Sequence, residues 1–136
     1  FYIMSKTIPI LTVVDATQLA NTGSANGTVW MFDNQGYTGE QEATNELITN
    51  CTDGDILQWT IVAIQTDVDI SINRFNGTAI NDSIIDPVLM NGINEPYWTS
   101  RVELAANSAG KYQYAFDIVI NDTSYSFDPF LQIASS

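Results

Sequence analysis

Apolar and polar residues alternate along most of this chain with a period of two. In DILQWTIVAI (55–64), Leu57, Trp59, Ile61 and Ala63 share one parity. In DVDISINRF (67–75), Val68, Ile70 and Ile72 stand against Asp67, Asp69, Ser71 and Asn73. Such alternation marks a strand with one buried face. The very short connection between the two runs predicts a hairpin. The last stretch, GKYQYAFDIVINDTSYSFDPFLQI (110–133), puts Tyr112, Tyr114, Phe116, Ile118 and Ile120 on one parity. Gln113, Asp117 and Asn121 take the other, and Asn121-Asp122-Thr123 supplies a turn. Tyr112, Tyr114 and Phe116 then belong to the core, or to a contact between subunits if that face is exposed. Proline has no N–H to give a ladder. Asp128-Pro129 therefore reads as a bend that interrupts pairing and lets Phe130, Leu131 and Ile133 take a new register.

ILTVV (10–14), TVWMF (28–32), SRVELAA (100–106) and SYSF (124–127) complete the strand candidates. DATQLAN (15–21) reads as a short helical turn capped by Asp15 or Thr17. ATNELITN (43–50) fits either strand or one helical turn. Residues 76–100, punctuated by Asn76-Gly77, Pro87, Asn91-Gly92 and Pro96, read as loops with short extended pieces. Seven or eight short strands with turns between them predict an all-β fold. The expected form is a single-domain antiparallel β-sandwich, jelly-roll or Ig-like, with at most a short helical turn. The domain is expected over 7–136, with 1–6 a disordered or leader-derived tail. Met4-Ser5-Lys6 looks like a natural start, with Phe1, Tyr2 and Ile3 upstream of it.

Composition narrows the partners. The chain has 136 residues, 16 acidic against 4 basic, and a formal net charge of −12. That charge repels phosphate backbones and anionic lipid surfaces, so neither nucleic acid nor membrane is an expected partner. No apolar run is long enough to span a bilayer. No basic segment followed by a long apolar one marks a signal peptide. Five sequons begin at Asn26, Asn50, Asn76, Asn81 and Asn121; without a signal peptide they read as turn sequences.

The chemistry available is limited. There is no histidine, which removes Ser-His-Asp and Cys-His catalysis and histidine metal sites. Cys51 is the only cysteine, so no intrachain disulfide forms. Acidic Asp53 and Asp55 nearby disfavour its thiolate, and it reads as an inert thiol. Asp53-Gly54-Asp55, joined by Asp33-Asn34, is a candidate calcium site through hard oxygen ligands. The alternative is a turn, with Gly54 in a tight conformation and Asp53 capping it. Paired carboxylates of a hydrolase need to face each other across a cleft, and no spacing selects such a pair. Tyr97 and Trp98 in NEPYWTS (94–100), with Tyr37 in DNQGYTGE, are candidate ligand residues. Loop aromatics stack on the apolar faces of sugars. The alternative is that Trp98 folds back on the core. Trp59, in mid-strand, reads as core.

The order of blocks carries a resemblance. An N-terminal strand with Val14-Asp15-Ala16-Thr17-Gln18-Leu19 leads to Thr28-Val29-Trp30-Met31-Phe32 and then Gly54-Asp55-Ile56-Leu57-Gln58-Trp59. The chain closes on an aromatic strand, a hairpin and Tyr125-Ser126-Phe127-Asp128-Pro129-Phe130. From about residue 7 onward this resembles the bacterial inclusion-body protein family that includes PixA and AidA. The resemblance implies a small all-β protein without known catalysis or catalytic residues to carry over. Some relatives accumulate as inclusions, and some are tied to cell-density control and host interaction. The inclusion-forming type is methionine-rich, whereas this chain has only Met4, Met31 and Met90. The expectation is a non-enzymatic, self-associating structural or inclusion-body-type protein without a cofactor. It is expected in the cytoplasm, in inclusions or released without a classical signal peptide. The alternative is a lectin-like module that binds glycans through loop aromatics with calcium assisting.

Overall fold

The computed structural model describes residues 5–35, 40–93 and 95–136. Phe1–Ile3 and Tyr37 lie outside that range. The chain begins with β1 (Thr7–Val14), whose alternate residues Ile8, Ile10, Thr12 and Val14 are buried. It turns into α1 (Ala16–Thr22), capped by Asp15, whose Oδ1 accepts from the Gln18 N–H at 3.2 Å. Gly23 ends the helix at φ +67°, a left-handed conformation that glycine adopts without penalty.

Among the described residues ten further strands and one more helical turn follow, beginning with β2 (Val29–Asp33), β3 (Ile48–Thr52), β4 (Ile56–Ala63), β5 (Ile70–Asn76), α2 (Thr78–Asn81), β6 (Val88–Asn91), β7 (Pro96–Arg101), β8 (Gly110–Gln113), β9 (Ala115–Ile120) and β10 (Thr123–Phe127). The last strand is β11 (Phe130–Ala134). One sheet has the order β2-β1-β4-β7-β6; the others are β10-β9-β5 and β3-β11-β8. Trp59 of β4 reaches across the layers to Phe75 of β5 and to Tyr114, with ring centroids 4.8 and 5.7 Å apart. Its indole N–H donates to the Tyr114 hydroxyl at 3.1 Å, so the polar edges of both buried rings are satisfied.

The all-β class with a short helix holds, and the departures from the sequence reading lie in connection. Two pairings are parallel, β1 with β4 and β3 with β11. The expected hairpin over 55–75 does not form: β4 pairs with β1 and β7, while β5 pairs with β9 in the other layer. The segment 64–69 is a crossing between sheets. Residues 76–91 hold α2 and β6, and β7 follows at Pro96–Arg101, in a stretch expected to be loops. The strand expected over 100–106 stops at Arg101, although Val102 and Leu104 are buried. Lys6, assigned to the tail, is already tied in, its N–H donating to Asp55 Oδ1 at 3.2 Å.

The Asp128-Pro129 step bends the last hairpin without shifting it. Phe127 pairs with Phe116 and Phe130 with Gln113, and the first register continued three residues lands on the second. Phe127, Pro129, Leu131 and Ile133 are all buried, so the inward parity runs through the proline. Tyr114, opposite the break, donates its N–H to the Pro129 carbonyl at 3.0 Å; the proline has no N–H to return. Gly77 approaches this point closely, and a Cβ there would meet Tyr114 Cα and Ala115 N at 3.1 Å.

Candidate functional site

The inward residues of β4 are not equally buried. Leu57 and Trp59 are fully enclosed, whereas Ile61 and Ala63 are only partly covered. On β5, Ile70 likewise lies nearer the surface than Ile72. Because the chain crosses between sheets at 64–69, the two strands leave an open end to the sandwich there. β6 and β7 complete the opening with Leu89 and Trp98. The result is a cleft of about 640 Å³ lined by Ile61, Val68, Ile70, Leu89 and Trp98, with Trp59 at its lining as well. This lies within the usual range for small-molecule sites. The polar residues Thr60, Gln65, Thr66 and Ser71 line it too, together with the exposed Asp69, Asn91 and Glu95, and no lysine or arginine lines it among the described residues.

Trp98 is half-buried, with its ring 5.3 Å from that of Phe75. It packs on the core, as one of the two readings expected, and part of its surface lines the cleft. It belongs to β7, not to a loop, and stands opposite Trp59 in the β4–β7 register. Tyr97 precedes it in the same strand, so the two side chains point to opposite faces. Tyr97 does not line the cleft, and the pair cannot grip one ligand together. Tyr37, the third expected ligand residue, lies outside the described residues.

Asp53 and Asp55 are brought together, but for the backbone. Asp55 is 4% exposed; its Oδ1 accepts from the Lys6 N–H at 3.2 Å and its Oδ2 from the Thr52 N–H at 2.8 Å. Asp53 Oδ1 accepts from the Leu104 N–H at 2.9 Å, far along the chain rather than in its own turn. Gly54 between them takes φ +98°, as a tight turn requires. Among the described residues no group of three or more acidic or cysteine side chains is arranged to hold a metal.

Cys51 is buried on β3, and burial first, then the charge of Asp55, push its thiol up to about 12. The thiolate is the reactive form. Native Cys51 is therefore expected not to react with a chromogenic disulfide reagent at pH 8 over hours, and to react fully once urea unfolds the chain. Rapid labelling of the native protein would contradict this burial.

One carboxylate pair has no mark in the sequence that singles it out. Glu42 Oε2 accepts from the Asp33 N–H at 2.9 Å at the end of β2. Burial raises the Glu42 carboxyl above its ordinary range; the Asp33 N–H bond opposes that rise and the Asp33 charge adds to it. The pair is tied to the backbone at the end of a strand, away from the cleft lining. β6 is equally hard to foresee. Its signal is the short apolar run Val88-Leu89-Met90 after Pro87, too brief to tell from a loop.

Known proteins share this architecture. The inclusion body protein PixA from Burkholderia cenocepacia J2315 has a similar fold, with a TM-score of 0.70 over 98% of both chains at 14% sequence identity. The resemblance to the PixA-type family read from the sequence thus holds across nearly the whole chain at the level of fold. No curated protein matches the sequence. Among the described residues no helix is long and apolar enough to cross a membrane. A family model described as a domain of unknown function, DUF8788, matches residues 6–126, and the chain belongs to that family.

Proposed function

We propose that this protein is a non-enzymatic structural protein of the PixA inclusion-body type, which self-associates in the cytoplasm through the outer edge of β6. The observation that carries this reading is the character of that edge. β6 is the last strand of its sheet, and all four of its residues are exposed. Val88 and Leu89 are each 49% exposed and Met90 is 43% exposed. Unpaired backbone groups on an apolar edge are a template for another strand. Two other edge strands carry polar or charged residues: β10 reads TSYSF and β8 carries Lys111. The PixA-type fold adds to the case.

The test is sedimentation velocity over a range of protein concentrations. The expected result is a mass well above 15.0 kDa that grows with concentration and with added salt, since salt screens the charge of −12. Val88→Lys combined with Met90→Lys is expected to give a monomer with little change in thermal stability, because both side chains are already exposed. The two lysines reduce the net negative charge, so loss of assembly could not be ascribed to repulsion. A wild-type protein that stays monomeric throughout, or a double variant that assembles unchanged, would reject this reading.

A further inference from the structure

The cleft at the open end of the sandwich takes Leu89 and Asn91 from β6, the strand of the proposed assembly edge, and it has the size of a ligand site. We infer that it binds a small organic cation with a flat apolar body, an aromatic or polycyclic amine. Three features of the cleft lead there, independently of the self-association reading.

The first is its wall. Ile61, Val68, Ile70 and Leu89 offer branched aliphatic surface with no hydrogen-bonding groups. A flat apolar body gains from leaving water against such a surface. With Tyr97 on the opposite face of β7, Trp98 alone remains for stacking.

The second is Trp98 itself. Indole is the best of the aromatic faces for a cation, and this one is only partly covered by Phe75. The third is the mouth. Asp69 precedes β5 and Glu95 precedes β7, so the two carboxylates come from opposite layers of the sandwich. Both are exposed, and neither carboxylate has a hydrogen-bond or ion-pair partner among the described residues. With no lysine or arginine in the lining and a net charge of −12, the field at the mouth draws cations and turns anions away.

Three probes with one apolar body separate these contributions: 2-naphthylmethylamine, 2-naphthylmethanol and 2-naphthoate, titrated by calorimetry at pH 7. The amine is expected to bind saturably at one site, about tenfold more tightly than the alcohol, with the carboxylate weakest. Asp69→Asn combined with Glu95→Gln is expected to bring the amine down to the affinity of the alcohol and leave the alcohol unchanged. These two side chains are exposed, so the variant keeps its fold. Trp98→Leu, which keeps an apolar wall, is expected to weaken the amine by roughly threefold to tenfold through the lost ring face. Equal affinity for all three probes would overturn the inference, as would no saturation below about 1 mM. Tighter binding of a neutral oligosaccharide such as maltohexaose at this cleft would do the same and return Trp98 to the sugar reading.

Discussion

Replacing Trp59 by alanine is expected to destabilise the fold by about 3–5 kcal/mol, in the range for large aromatic truncations in a core. Total stabilities of single domains run to about 5–15 kcal/mol, so this removes a large share. The residue is fully buried and lies at the meeting point of the two layers. Its ring touches Phe75 and Tyr114, and Phe75 in turn touches Trp98 and Phe116. Alanine would open a cavity that the rigid strands cannot close, and it would leave the buried Tyr114 hydroxyl without the indole donor. Trp59→Phe keeps most of the volume and loses the hydrogen bond, with an expected cost of about 1–2 kcal/mol. Urea unfolding followed by far-UV circular dichroism measures both without relying on tryptophan emission. An alanine variant with an unchanged midpoint would show that the aromatic cluster is not what joins the layers.

Asp55→Ala is expected to cost about 2–4 kcal/mol, because it orphans two backbone donors at once. The Lys6 and Thr52 N–H groups, 49 and 3 residues away in sequence, both donate to this one carboxylate. The backbone of Asp55 meanwhile bonds to Thr52 and Val102, so the residue joins three segments. Asp55→Asn retains one carbonyl acceptor and is expected to fall between the two. The same experiment separates the structural role from the calcium reading. A carboxylate that serves the backbone gives the same loss of thermal stability with 1 mM-scale calcium as with a chelator, to within about 1 °C. A calcium-dependent rise in the wild-type melting temperature that Asp55→Ala abolishes would restore the metal site.

Much of the core is legible in the alternation alone. The parities of 55–64 and 110–121 place Leu57, Trp59, Phe116, Ile118 and Ile120 inside, and all five are buried. Asp15 as a helix cap and Gly54 in a tight turn follow from local chemistry that needs no distant partner. The candidate site is less legible. Trp98 reads in the sequence as a loop aromatic, but it is a strand residue whose partner strand β6 is too short to announce itself. Asp53 and Asp55 read as potential ligands because two of the three backbone donors they serve, Lys6 and Leu104, are remote in sequence; only Thr52 is near.

Which side of each strand faces inward, where the chain turns, and that the fold is all-β can all be derived from the order of residues. Side-chain alternation is a property of the strand backbone, and turn residues act within a few positions, so both are local. Which strand lies beside which is settled only by the folded chain as a whole. Backbone N–H and C=O groups are nearly the same at every residue, so pairing carries little sequence signature. That is why the apparent hairpin over 55–75 is a crossing between sheets, and why Asp128-Pro129 keeps its register across a missing rung. It is also why the open cleft and the bare edge of β6 exist only once the strands have taken their places.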